Sequence, residues 1–240
     1  MATRGLLYGA LAYACALASF AYAVGFIGSL VVPKTIDSGA TGPVALFIDI
    51  GLVTLFALQH SVMARPGFKA VLARVLPAAL ERSTYVLASA LLLALLCWQW
   101  QPLPALLWQV QAPPLRALLY ALYAGGWLIA GAATCMISHG DLFGLRQVWA
   151  AARGMAYAPV PFARVALYRH VRHPIMLGLL IAFWAAPDMS VGRLLFAALN
   201  TAYVFIGTWF EERDLRRAFG ADYEAYAREA GMLLPKRRAD

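Results

Sequence analysis

The chain predicts an all-α fold: a polytopic membrane helix bundle of five to six crossings, closing with a helical hairpin and an amphipathic cytoplasmic tail. Three observations carry this expectation. Of 240 residues, 62% are hydrophobic and 13% charged, and the mean hydropathy is +0.67, far from the balance of a soluble domain. Apolar runs of about 20 residues, enough to cross a bilayer, recur along the whole length. Lys and Arg number 20 against 12 Asp and Glu, a net charge of +8, yet these basic residues stand between apolar runs and form no continuous stripe of the kind a nucleic-acid binder needs.

The first run spans roughly 5–32. It follows Arg4 and is far longer than the apolar part of a signal peptide, so it is expected as a retained helix. The second, roughly 43–63, places Asp49, Val53, Phe56 and His60 on one helical face; Asp49 and His60 are about 16 Å apart along the axis, which excludes a direct hydrogen bond. The third covers roughly 84–101 and the fourth roughly 115–137, where Gly125, Gly126, Ala130 and Thr134 form a stripe of small residues that admits a neighbouring helix. The fifth, roughly 174–187, opens at Pro174, which suits the first turn of a helix because it lacks the N–H left unsatisfied there. At about 14 residues it is short for a span, and its depth stays open. After Pro187-Asp188 the sixth run covers roughly 189–210 and carries Asn200, a candidate interhelical hydrogen-bonder. Cys15, Cys97 and Cys135 lie inside apolar runs, where a thiol acts as a small hydrophobe, and imply no disulfide or metal motif. Residues 1–240 are expected as a single domain, with no internal repeat and one long cytoplasmic connection at about 138–173.

With Met1 in the cytoplasm, the inside segments hold 17 of the 20 basic residues. They run from Arg4, Arg65, Lys69, Arg74 and Arg82 through the 138–173 loop to the tail ending in Lys236, Arg237 and Arg238. Only Lys34, Arg116 and Arg193 lie outside. This positive-inside bias places both termini in the cytoplasm.

That topology brings all four histidines to one level. His60 ends the second helix, His139 follows the fourth, His170 and His173 precede the fifth, and Glu211 with Glu212 ends the sixth. The expectation is a site at the cytoplasmic mouth of the bundle; the plain alternative is the usual gathering of amphipathic and basic side chains at a membrane interface. The densest segment is Tyr168-Arg169-His170-Val171-Arg172-His173-Pro174, where the free N–H groups of a helix start and two arginines favour an anion. The acidic pair is expected at a helix C-terminus, where the dipole disfavours negative charge. Either Arg213, Arg216 and Arg217 compensate it, or a ligand hydroxyl or amine does.

The run Arg172-His173-Pro174 with Gly178, then a hydrophobic hairpin, then Glu211-Glu212 with Leu215, Gly220, Tyr223 and Tyr226, resembles the integral-membrane methyltransferases related to isoprenylcysteine carboxyl methyltransferase. Phe56 to Lys69 (FALQHSVMARPGFK), Asp141 to Trp149 (DLFGLRQVW) and Leu167 to Phe183 (LYRHVRHPIMLGLLIAF) are similar to the nurim-type branch, and most of all to the bacterial methanethiol S-methyltransferases. The resemblance covers nearly the whole chain. One position departs from it: where many isoprenylcysteine-type enzymes carry an aromatic one residue after His-Pro, this chain has Met176. No GxGxxG follows a predicted strand, so the helices themselves must make the site.

The resemblance implies S-adenosylmethionine as co-substrate and a small thiol, methanethiol, as acceptor, in a bacterial inner membrane. No metal and no nucleic acid are implied. By hypothesis the fifth helix start, with Arg169, His170, Arg172 and His173, receives the donor's carboxylate. Glu211 or Glu212 takes its ribose hydroxyls or amino group, and Tyr168 lies against the adenine. Transfer to sulfur requires a thiolate, so a neutral histidine is the natural base: His60 first, with His139 and Asp141 as an alternative relay. Competing expectations are a larger lipid-like acceptor of the prenylcysteine type, a haem or metal protein built on His60, His139, His170 and His173, and a non-enzymatic scaffold.

Overall fold

A computed structural model describes residues 2–236; Met1, and Arg237 and Arg238 of the basic tail, lie outside the described residues. The elements run α1 (Ala2–Gly28), α2 (Ala45–Met63), α3 (Pro66–Leu72), α4 (Ala78–Gln99), β1 (Leu106–Gln109), α5 (Pro113–Ile137), α6 (His139–Leu142), α7 (Leu145–Ala152), α8 (Pro174–Trp184), β2 (Asp188–Ser190) and α9 (Val191–Glu229). Among the described residues, five helices are long and apolar enough to cross a membrane: α1, α2, α4, α5 and α9. The chain is a polytopic helical membrane protein. It divides into two compact units, one running to Ala105 and including Ser138–Val160, the other made of Leu106–Ile137 and the chain from Pro161 onward.

In the first unit α1 packs on α4 and α7, and the Tyr8 and Thr84 hydroxyls meet at 2.9 Å. The last carbonyls of a helix have no partner within it. At the end of α4 that need is met by the Lys34 ammonium, which donates to the carbonyls of Trp98 and Trp100; burial lowers the pKa of this lysine. Asp49, at the opposite end of α2 from His60, is buried and accepts the Gln101 backbone N–H at 2.8 Å.

In the second unit α8 lies against α5, and the small-residue stripe explains how. A Cβ on Gly126 would stand 2.6 Å from the Gly178 carbonyl, and one on Gly178 would strike the Gly126 carbonyl in return. Backbone therefore touches backbone, the close approach that small residues permit. Gly125, by contrast, has open space around its Cβ position. We expect Gly178→Val to lose at least about 1–3 kcal/mol by overpacking. Gly125→Val should leave thermal unfolding in detergent unchanged.

With 11 residues, α8 is about 16 Å long and cannot span the core alone. The chain continues as an extended segment into β2, which pairs antiparallel with β1 just before α5. Arg116 of α5 then grips Asp188 with both terminal nitrogens, each at 2.8 Å, and this hydrogen-bonded partner holds the Asp188 carboxyl below its ordinary range. The fifth run thus follows α5 from Gly126 back to Arg116, about 15 Å along that helix. Neither strand was legible in the sequence, because four and three residues are too few to show a period.

Two expectations are corrected here. Glu211 and Glu212 do not end a helix: α9 continues to Glu229 over 39 residues. From Val191 to the break at Gly220 it runs about 44 Å against a hydrocarbon core of about 30 Å, so apolar character stops near residue 210 while the helix does not. The break comes at Gly220, whose φ of 52° is non-helical and open to glycine without steric cost. Asn200, expected to bond across helices, turns its amide back onto the Phe196 carbonyl of its own helix at 2.8 Å. Beyond Gly220 the last turns bury Tyr223, Tyr226 and Ala230 with Phe162, Leu215 and Ala227.

Candidate active site

In the second unit the candidate residues form a polar knot around one carboxylate. A 3₁₀ turn at Ala166–Arg169 leads into His170–His173, which lies beside the segment following α9. The Arg172 N–H donates to the Gly231 carbonyl at 2.8 Å, His173 N–H to Met232 at 3.1 Å, and Gly231 N–H back to His170 at 3.1 Å. This short parallel bridge presents His173 and Arg172 to α9. Glu212 there is 4% exposed, and its Oε1 accepts Arg172 Nε at 2.7 Å and Tyr223 OH at 2.9 Å, with His173 Nε2 at 2.9 Å. Its Oε2 accepts Arg216 at 3.0 Å. With three partners on Oε1 and one on Oε2, Glu212 is buried and largely committed within the protein.

Glu211 differs. Its side chain is 51% exposed, and its Oε2 stands 3.6 Å from His173 Nδ1. Adjacent helical residues point about 100° apart, which is why one acid of the pair is buried in the knot and its neighbour is open. The Arg172 guanidinium is tied down from the same side, since its Nη1 also donates to the carbonyls of Ala230 at 2.7 Å and Ala227 at 3.1 Å. Arg169 and His170 are exposed. Tyr168 is buried, its carbonyl accepts the Tyr226 hydroxyl, and burial, reinforced by the Glu211 charge, raises its phenol pKa.

The first unit holds the other candidates. On α2, His60 has its Nε2 2.7 Å from the Tyr85 hydroxyl and its Nδ1 3.2 Å from the Ser89 hydroxyl, and its ring stacks on Phe56. His139 and Asp141 stand on the single turn of α6 with different partners. His139 Nε2 is 2.9 Å from the Tyr13 hydroxyl, while Asp141 accepts Tyr157 OH at 2.7 Å and contacts Arg146 at 3.4 Å and Gln147 at 3.3 Å. A cavity of 460 Å³ in this unit is lined by Leu6, Ala10, Leu145, Arg146, Val148 and Trp149, not by these histidines. Among the described residues, no three His, Cys, Asp or Glu side chains are grouped to hold a metal ion.

Sequence reasoning missed the hydroxyl partners Tyr13 and Tyr85 and the backbone pairing at Gly231, and had Tyr223 only as part of the motif, without Glu212 as its partner. The spacing of Tyr223, 11 residues after Glu212, would put the two about 16 Å apart along an unbroken helix; the turn at Gly220 is what brings them together.

Long apolar helices, with an Arg-His-Pro turn held on Glu212 and Glu211 open beside it, carry the motif on which the chain resembles the integral membrane methyltransferases. Relatives agree. Methanethiol S-methyltransferase of Mycobacterium tuberculosis is 49% identical over 96% of this chain and 95% of its own length. Methanethiol S-methyltransferase 2 of Bradyrhizobium diazoefficiens is 51% identical over 96% and 90%, and nurim of Sus scrofa is 34% identical over 72% and 69%. The chain belongs to the methanethiol S-methyltransferase family, with nurim a more distant branch. It is therefore a thiol methyltransferase of the membrane, drawing on a methyl donor. No family model and no solved structure matches it.

Proposed function

We propose that the protein transfers a methyl group from S-adenosylmethionine to methanethiol, releasing dimethyl sulfide. The reaction runs at the cytoplasmic face of a bacterial inner membrane, with both termini cytoplasmic and residues 1–240 acting as one domain. The observation that carries the donor assignment is the division of labour in the acidic pair: Glu212 buried among Arg172, His173, Tyr223 and Arg216, Glu211 open beside His173. A donor bearing an ammonium, a ribose diol and a carboxylate suits an open carboxylate next to exposed Arg169 and His170. When bound, it supplies a methyl already activated on a sulfonium.

The chain's own residues do the rest. Glu211 accepts the donor's hydroxyls or ammonium, and Arg169 and His170 face its carboxylate. Tyr168, kept neutral by burial, lies against the adenine. Arg172, His173 and Glu212 fix the turn that carries these groups. His60, its ring held by Tyr85 and Ser89, takes the thiol proton, with His139 and Asp141 as the alternative base and its partner.

Isothermal titration of the detergent-purified protein with S-adenosylmethionine and S-adenosylhomocysteine, followed by headspace detection of dimethyl sulfide on adding methanethiol, tests this reading. Binding with product supports it; a folded protein that binds neither ligand overturns it, and product only from a prenylcysteine acceptor replaces the acceptor. Glu211→Gln is expected to weaken donor binding about tenfold or more, as loss of a charged hydrogen-bond acceptor does, with thermal stability unchanged. His60→Ala is expected to lower turnover by about 10²–10⁴, the usual contribution of a general base, and unaltered turnover would remove it from that role.

A further inference from the structure

The buried face of α9 is a stripe at four-residue spacing: Phe196, Asn200, Val204, Thr208 and Glu212. Thr208 is completely buried, and among the described residues its hydroxyl has no hydrogen-bond partner. That is an unusual state for a threonine in an apolar helix. Such hydroxyls ordinarily bond a carbonyl of the preceding turn, and this chain does so elsewhere: Thr84 donates to the Leu80 carbonyl at 2.9 Å and Thr134 to that of Gly131 at 2.7 Å. An unpaired hydroxyl in a low-dielectric interior is destabilising. Thr208 carries that penalty one turn from Glu212, about 6 Å along the axis, on the face that holds the knot.

The position also separates the two ligands by polarity. Exposed Arg169, His170 and Glu211 lie on the open side of the knot, where a charged donor belongs. Thr208 lies on its buried side, one turn deeper into the apolar part of α9, where a small neutral thiol partitions.

We infer that Thr208 is the acceptor-binding residue: its hydroxyl hydrogen-bonds the sulfur of the incoming thiol and, once that is deprotonated, donates to the thiolate. The inference rests on the donor reading above. In the step it serves, the thiol proton passes to the general base and a sulfur lone pair forms the new bond to the methyl carbon. The donor's carbon–sulfur bond breaks with its electron pair left on the donor sulfur, which becomes a neutral thioether.

The test compares wild type, Thr208→Val and Thr208→Ser, each purified full-length in detergent. Thermal unfolding, S-adenosylmethionine affinity and initial rates against methanethiol concentration are measured for each. Valine keeps the shape and removes the unpaired hydroxyl, so Thr208→Val is expected to melt no lower than wild type and to bind the donor within about twofold. Its kcat/KM for methanethiol should fall about ten- to a hundredfold, as for a lost hydrogen bond to a charged partner, and Thr208→Ser should restore most of it. Unchanged kcat/KM in Thr208→Val overturns the inference and leaves the proposed function standing. Weakened donor binding with unchanged thiol dependence overturns the acceptor assignment. If the valine variant does not fold, a serine variant with low kcat/KM and normal stability overturns the hydroxyl's role. Donor binding by wild type without dimethyl sulfide formation overturns the acceptor reading and this inference together.

Discussion

Glu212→Ala is expected to give a protein with no measurable methyl transfer and greatly reduced stability. The substitution leaves Arg172, whose side chain is 9% exposed, facing an emptied position without its hydrogen-bonded counter-ion, and takes a 2.9 Å partner from His173, 5% exposed. Tyr223 loses its acceptor at the same time. Removing one partner of a buried charged pair costs about 3–5 kcal/mol, a large share of the roughly 5–15 kcal/mol that holds a typical domain together. The contrast with Glu211→Gln is the informative part. Two adjacent acids should give opposite signatures, Glu212 in the melting temperature and Glu211 in donor affinity. Equal melting temperatures for Glu212→Ala and wild type would show that the knot is not what holds the turn.

Deleting the chain after Glu229 should abolish donor binding even though all five long helices remain. The deletion removes the carbonyls of Ala230, Gly231 and Met232 and with them the nearer of the two acceptors for Arg172 Nη1 and both acceptors for the backbone N–H groups of Arg172 and His173. The Val171–Gly231 bridge goes too. Without it, His170–His173 loses the partner strand that fixes its register against α9. Titration with S-adenosylmethionine on the monodisperse fraction checks this, and donor affinity equal to wild type in the shortened chain would contradict the arrangement.

The spans were legible in the sequence because hydropathy over about 20 residues is a strong signal. Arg172, His173, Glu211 and Glu212 were legible as residue types that gather around a charged ligand. Which glutamate faces inward was not, since that depends on the rotation of α9 about its own axis and no flanking pattern fixes it. The end of the sixth helix was misplaced for a related reason: periodic apolar character marks where a helix leaves the membrane, not where its backbone hydrogen bonds stop. A close neighbour for α5 was expected from Gly125, Gly126, Ala130 and Thr134, of which Gly126 and Ala130 meet α8 and Gly125 does not; that the neighbour is α8 was not legible, since Gly178 was read only as part of a motif. The segment from Ala230 to Met232 carries no charge, no period and no turn dipeptide. Its role arises from backbone pairing with residues some 60 positions earlier, which single-sequence reading has no means to detect.

That pairing also sets an order of events during synthesis. The last of the long helices is complete at Glu229, before Gly231 has been added to the nascent chain. A chain ending at Glu229 therefore holds every long apolar helix and still lacks the strand partner of His170–His173. The long helices and the pairing that fixes the turn are thus separable: a product terminated between Glu229 and Gly231 would keep the spans and lose the register of His170–His173.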